Sequence, residues 1–204
     1  MKGNCSESDE EVFSQFLMRH LTLSKREMQI MLGLVRFKTL PKGAVLFSKG
    51  ELTREYYLVI RGGVRTYFLV DGVDITTGFY TETDSLIPES TTINEPSAYY
   101  AACFEDSTVV ISTADVEQQL FLHIPEFEPL CRKFSEMLLA KKTRSLGEYR
   151  TMKPEQRYLQ LVRERPELIQ RVPQYHLASF LGVRPESLSR IRKRLSQRSK
   201  AGIS

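Results

Sequence analysis

Between Arg36 and Asp115 the chain breaks into short β-rich runs parted by turn residues, and this rhythm narrows the possible folds most. The runs are Ala44–Ser48, Glu55–Ile60, Val64–Val70, Ile75–Tyr80, Tyr99–Phe104 and Thr108–Ser112. Their links are Pro41-Lys42-Gly43, Lys49-Gly50, Arg61-Gly62-Gly63 and Asp71-Gly72. Asp-Gly between two alternating runs is a strong signal for a two-residue hairpin. Six closely spaced strands with no helix between them predict a small sandwich or barrel. They argue against a parallel nucleotide-binding sheet, which needs strand and helix to alternate.

The flanks read as helix. Residues 9–36 carry an apolar stripe at Phe13, Phe16 and Leu17, then Ser24 and Glu27 in S-x-x-E spacing ahead of Met28, Met31, Leu32 and Val35. That spacing is a capping box. Pro125 opens a long helix over 126–151, in which Phe127, Leu130, Phe134, Met137 or Leu138, Ser145 and Tyr149 recur three and four apart. Such a stripe can pack on its own domain or form a seam with a second copy. Lys141 and Ser145 interrupt its lower half. Thr151-Met152-Lys153-Pro154 reads as a hinge, because proline disfavours helix in the residue before it. A further helix follows over 155–165, with Tyr158, Leu159 and Val162 expected inward, and 166–172 links it to the last segment.

Gln174 to Lys193, QYHLASFLGVRPESLSRIRK, has the pattern of two short helices around a glycine. Leu177 and Leu181 share one face, as do Leu188 and Ile191. Gly182 suits a left-handed helix end, and Pro185 suits the first turn of the next helix. This is a helix-turn-helix pattern; an amphipathic hairpin with a solvated basic face would read similarly. Charge separates the two. The chain's net charge is only +4, yet from Lys141 onward Lys and Arg outnumber Asp and Glu 16 to 5, while before it acids outnumber bases 20 to 13. A basic C-terminal part beside an acidic N-terminal part points to a polyanion-binding module joined to something else.

Other classes find little support. No run approaches the length of a membrane span, and the polar start MKGNCSESDEE shows no signal peptide, so a cytoplasmic setting is expected. Cys5, Cys103 and Cys131 are scattered, lack CxxC spacing and suit reduced structural thiols rather than an iron–sulfur cluster. His20, His123 and His176 have no metal-ligand spacing with them, and no metal site is expected. No nucleophile motif or phosphate loop marks an enzyme.

The run PKGAVLFSKGELTREYYLVIRGGVRTYFL resembles the start of the cyclic-nucleotide-binding β-roll of the Crp–Fnr transcription regulators, with Gly43, Gly50 and Gly63 where that family turns. The order β-roll, long helix, helix-turn-helix also matches, over roughly residues 10–195. The resemblance implies an α+β chain: an N-terminal double-stranded β-roll with helices (1–125), a dimerisation helix (126–152) and a helix-turn-helix domain with little or no wing (153–204). It implies a homodimeric, sequence-specific DNA-binding regulator, which can also meet RNA polymerase. Phe127, Leu130, Phe134, Leu138, Ser145 and Tyr149 would form the dimer seam. A module that acts through protein partners without specific DNA binding is the competing reading.

Where the family's cyclic-nucleotide binders carry Gly-Glu and then Arg-(Ser/Thr)-Ala, this chain reads Pro88-Glu89-Ser90 and Pro96-Ser97-Ala98. Glu89, Ser90, Ser97 and Ala98 are the candidate effector residues. Pro96 removes both a bidentate cation and a backbone donor. Cyclic AMP is therefore not expected to bind in the family manner, and the effector is another small molecule or none. In the second helix of the pair, Glu186, Ser189 and Arg190 reproduce the E-x-x-S-R of the Fnr-type branch and are expected to read bases. Pro185 stands where the cyclic-AMP-responsive branch has an arginine. Gln174, Arg184, Ser187, Arg192, Lys193 and Arg194 are expected at phosphates. The tail after Leu195 is expected to be loose, with Arg198 and Lys200 available to phosphate.

Overall fold

A computed structural model describes residues 8–200, with side chains through Gln197. Cys5 and residues 201–204 lie outside the described residues, as do the side chains of Arg198 and Lys200. The chain falls into two units. One takes the chain up to Thr66 and again Phe79–Leu139; the other takes Tyr67–Gly78 and everything from Ala140.

The strands form two four-stranded sheets. One has the order β1-β8-β3-β6, from β1 (Arg36–Leu40), β8 (Ser107–Thr113), β3 (Glu55–Arg61) and β6 (Ser85–Leu86). The other has the order β2-β7-β4-β5, from β2 (Val45–Phe47), β7 (Tyr100–Cys103), β4 (Val64–Val70) and β5 (Val73–Tyr80). β8 pairs antiparallel with both β1 and β3, with Phe37 opposite Val110 and Tyr57 opposite Ile111. Alternation decides what each face meets. Tyr57, Val59, Val109 and Ile111 join Phe47, Val64 and Leu86 in one core. Their neighbours Ile60 and Val110 turn the other way, onto Phe13, Leu17, Met31, Leu120 and Ile124. The strand β8 is thus buried on both faces.

Those helical partners are α1 (Asp9–Met18), α2 (Lys25–Leu34) and α4 (Ala114–His123). The helical stretch expected over 9–36 is two helices, α1 and α2. The second capping box supplies the reason: Ser24 and Glu27 bond each other's backbone N–H groups, so a helix starts at Lys25 and cannot run through. Ser8 and Glu11 do the same for α1, a repeat of the signature that the sequence reading passed over. Residue 36 already belongs to β1. The helix α4, capped by the Thr113 hydroxyl, was not expected; nor was β6, too short to show alternation.

The turns follow the sequence closely. Asp71 and Gly72 both have positive φ, as a two-residue hairpin between β4 and β5 requires. At the β3–β4 turn the left-handed residue is Gly62, not Gly63. Gly63 serves close approach instead: a Cβ there would lie 2.1 Å from the Phe104 ring.

In the second unit, α5 (Phe127–Thr151) runs from Ala140 to its end, followed by α6 (Pro154–Glu164), α7 (Pro166–Arg171), α8 (Gln174–Phe180) and α9 (Pro185–Lys200). The expected link 166–172 is itself helical. Tyr158 is buried as predicted, but Leu159 and Val162 are exposed; Leu161, three residues on from Tyr158, shares its inward face, and Leu159 lies off it. The α9 helix continues past Leu195 to Lys200, which corrects the expected loose tail. No strand follows it among the described residues.

Candidate nucleic-acid interface

The pair α8 and α9 is held by apolar contacts that the sequence spacing foresaw. Leu177, Ala178, Leu181 and Leu188 are essentially inaccessible, and Ile191 is buried beside them. Between the helices the Gly182 N–H bonds the Ser179 carbonyl at 2.9 Å and the Val183 N–H bonds the Ala178 carbonyl at 3.0 Å. With Gly182 at φ +67°, this is a Schellman end, which satisfies two carbonyls that α8 would otherwise leave open. The turn therefore fixes where α9 begins.

With Leu188 and Ile191 turned inward, the opposite side of α9 is set. Glu186, Ser189, Arg190 and Lys193 are all exposed, at spacings of three and four that put them on one face. No ion pair joins Glu186 to Arg190 among the described residues, so the i, i+4 bridge that could have engaged this arginine is not made. Arg184, just before α9, and Gln174, the first residue of α8, are exposed; Ser187 and Arg192 are half-buried. Arg194 is the exception in the phosphate set. It reaches back to the Glu155 carboxylate on α6 and is half-exposed. His176 is buried.

One contact was invisible in the sequence. The Ser179 hydroxyl on α8 donates to the Asp74 carbonyl at 3.0 Å and accepts from the Thr76 N–H at 2.9 Å. It satisfies two backbone groups of an edge strand, β5, across a separation of more than a hundred residues.

The proposed seam residues divide. Phe127 packs against the helical core, and Phe134 lies 6.3 Å from Phe16 and 5.0 Å from His20, centroid to centroid. Leu130 and Leu138 are half-buried, Ser145 and Tyr149 exposed. Spacing alone could not tell a stripe that meets its own domain from one that meets a partner. No residue of α5 is buried along its 25 residues, and Met137, Leu139 and Leu146 are exposed apolar positions that the stripe omitted or left open.

The candidate effector residues come together around α3 (Glu89–Ile93). Glu89 accepts the Ala98 N–H on its own carboxylate. The Ser97 N–H bonds the Glu51 carbonyl at 2.9 Å, and the Ser97 hydroxyl donates to the Tyr99 carbonyl, also at 2.9 Å. Pro88 and Pro96 have no N–H to offer. Ser90 is buried and its hydroxyl has no partner. Phe47 stacks on Tyr57 and meets Tyr99 edge-on, and burial pushes both tyrosine hydroxyls well above their ordinary pKa. The backbone donors at 97 and 98 are already engaged, and the segment 88–98 holds no lysine or arginine.

Among the described residues no group of histidine, cysteine and carboxylate side chains could hold a metal. The thiols of Cys103 and Cys131 are unpaired by disulfide; burial raises both, Cys131 to about 12, which makes them poor nucleophiles. No helix among the described residues is long and apolar enough to cross a membrane.

Residues 37–123 match the cyclic nucleotide-binding domain family. None of the curated proteins matches the chain by sequence. Among solved structures, the chain is similar to a mutant of CooA from Carboxydothermus hydrogenoformans: TM-score 0.65, 16% identity, covering 92% of this chain and 84% of that one. It is also similar to CLP of Xanthomonas campestris, described as a c-di-GMP responsive global regulator, with TM-score 0.64 and 17% identity over 86% of this chain and 93% of that one. FixK2 from Bradyrhizobium japonicum gives TM-score 0.62 and 18% identity over 83% and 86%. Residues 37–123 are thus similar to the cyclic nucleotide-binding domain family, and the chain shares its fold with CooA, CLP and FixK2.

Proposed function

We propose that the protein is a homodimeric, sequence-specific DNA-binding transcription regulator of the Crp–Fnr type, working in the cytoplasm by binding rather than catalysis. The observation that carries the reading is the unpaired exposed face of α9, Glu186, Ser189, Arg190 and Lys193, on a helix-turn-helix whose other side is buried. In this motif the N-terminal turns of the second helix enter the major groove. Arg190 can donate two bonds to guanine O6 and N7, Glu186 can accept from cytosine N4, and Ser189 meets a base edge or a thymine methyl. Gln174, Arg184, Ser187, Arg192 and Lys193 meet phosphates; Arg194 is paired with Glu155. The domains are taken as 1–125, 126–152 and 153–204.

One helix-turn-helix grips DNA weakly, and two related by a twofold reach successive major grooves about 34 Å apart. The long helix supplies the pairing surface, with Leu130, Leu138, Ser145 and Tyr149 joined by Leu139 and Leu146, while Phe127 and Phe134 are engaged at home. Bound to DNA, such a dimer is placed to meet RNA polymerase. The test is selection from a pool of random duplexes with the purified protein. Enrichment of a two-fold symmetric sequence supports the reading; a pool that stays random contradicts it.

The β-roll acts as scaffold, or as sensor of something other than a cyclic nucleotide. Cyclic AMP or cyclic GMP is expected to leave the thermal midpoint unchanged. A ligand at a hundred times its Kd would add about 2.7 kcal/mol, several degrees for a chain of this size. A midpoint that rises with nucleotide concentration would show that the folded protein binds the nucleotide and would contradict this reading.

A further inference from the structure

The joint between α5 and α6 is short. Helix α5 ends at Thr151 and α6 starts at Pro154, with Lys153 extended between them. Left alone, a few backbone torsions there would let α6 and everything after it swing. Side chains on the two helices prevent this. Gln160 is buried, and its Nε2 donates to Glu148 at 2.7 Å on α5 and to Glu164 at 3.1 Å on α6. Arg144 donates from Nε to Glu148 at 2.7 Å and from Nη2 to Glu164 at 3.2 Å. A cation and an amide thus bind the same two carboxylates from opposite helices. The pairs 144–164 and 148–160 are one helical turn apart on each helix, so together they fix rotation as well as distance. Nearer the joint, the Arg157 guanidinium covers the Tyr149 ring at 4.4 Å from its centroid. A Cβ built on Gly182, in the α8–α9 turn, would lie 3.3 Å from the Tyr149 hydroxyl and 3.7 Å from Arg157. The same stack therefore touches the turn that sets α9. Consistent with this geometry, the Gln160 bond and then Arg144 hold the Glu148 carboxyl below its ordinary range.

We infer that Arg144, Glu148, Gln160 and Glu164 are positioning residues that lock α6 onto the lower half of α5, so that α9 keeps one orientation to the helix expected to pair the two subunits. The lock makes the protein strict about the spacing of its two half-sites, a consequence that rests on the DNA-binding proposal. Gln160 is its centre, because a buried amide donor between two carboxylates is screened by salt less than the exposed Arg144 ion pairs are. Replacing Gln160 with glutamate would crowd three carboxylates and open the lock. Replacing it with lysine would keep a donor between Glu148 and Glu164.

The experiment measures spin-label distances between Ala140→Cys on α5 and Ser196→Cys on α9, with Cys5, Cys103 and Cys131 replaced by serine. Labelled full-length protein is diluted into unlabelled protein and examined without DNA. A single narrow distance is expected for the otherwise native chain and for Gln160→Lys, and loss of that single distance for Gln160→Glu. Gln160→Ala gives the same reading should the glutamate variant fail to fold. A broad distribution in the native chain, or a narrow one in both disrupting variants, overturns the inference. A second arm inserts one base pair between the half-sites of the enriched duplex. The native protein should lose affinity and Gln160→Ala should lose much less; equal losses count against the lock. If no duplex is enriched, the DNA-binding proposal fails, while the distance measurement still decides the lock.

Discussion

Replacing Gly62 with alanine is expected to cost about 2–5 kcal/mol, from left-handed backbone strain of about 1–2 kcal/mol and overpacking of about 1–3 kcal/mol. Gly62 has φ +77°, and a Cβ there would stand 2.1 Å from the Asp106 carbonyl oxygen and 2.7 Å from the Ser107 Cα. Both are backbone atoms of the adjoining turn, pinned by the Ser107 hydroxyl, which accepts the Gly63 N–H at 2.9 Å. No side chain can rotate away to make room. Gly43→Ala is the control: its φ is +83° but nothing lies within 4 Å of a built Cβ. It should show the conformational cost alone, about 1–2 kcal/mol. Denaturant unfolding followed by circular dichroism separates the two, since the chain has no tryptophan for fluorescence. Equal midpoints for the two variants would mean that the close approach of the β3–β4 turn to Asp106 is not part of the folded state.

Arg190→Ala is expected to weaken binding to the enriched duplex by about 1–3 kcal/mol, roughly 5- to 150-fold, and to relax preference at one base pair of each half-site. Arg190 is exposed on the face of α9 opposite Leu188 and Ile191, with no carboxylate holding it among the described residues. Truncation therefore removes a reader without loosening the fold. Lys193→Ala sets the contrast. It should weaken all sequences alike and reduce the slope of log K against log salt by about one unit. Equal loss for Arg190→Ala on enriched and random duplexes would remove it from base reading. An unchanged salt slope for Lys193→Ala would remove that residue from the phosphate set.

Local rules carried much of this molecule. The Ser24–Glu27 box, the Asp71-Gly72 hairpin and the left-handed Gly182 each depend on neighbours in sequence, and each stands where the residues placed it. The inward pair Leu188 and Ile191 then fixed the outward face of α9 without further information. What periodicity could not settle was partnership. Phe134 has the spacing of a seam residue, yet it meets Phe16 and His20 of its own chain. Gln160 reads as a solvated helix position, yet it is buried between Glu148 and Glu164. Ser179 reads as a small residue in a helix, yet it satisfies two backbone groups of β5. Each of these depends on a residue distant in sequence, which no local pattern records.

The departure from the family's cyclic-nucleotide cassette at Pro88 and Pro96 is legible for a different reason. Pro88 and Pro96 cannot donate a hydrogen bond in any conformation, so the deficit is visible without coordinates. The structure adds that Glu89 takes the Ala98 N–H and that Ser97 is fully engaged.

The central claim is that two copies of α9 enter duplex DNA together. Hydroxyl-radical footprinting of the full-length protein on the enriched duplex tests it most directly. The account predicts two protected tracts related by a twofold and about 34 Å, one helical turn, apart. A single tract, or uniform cleavage at protein concentrations that saturate the duplex, would contradict it.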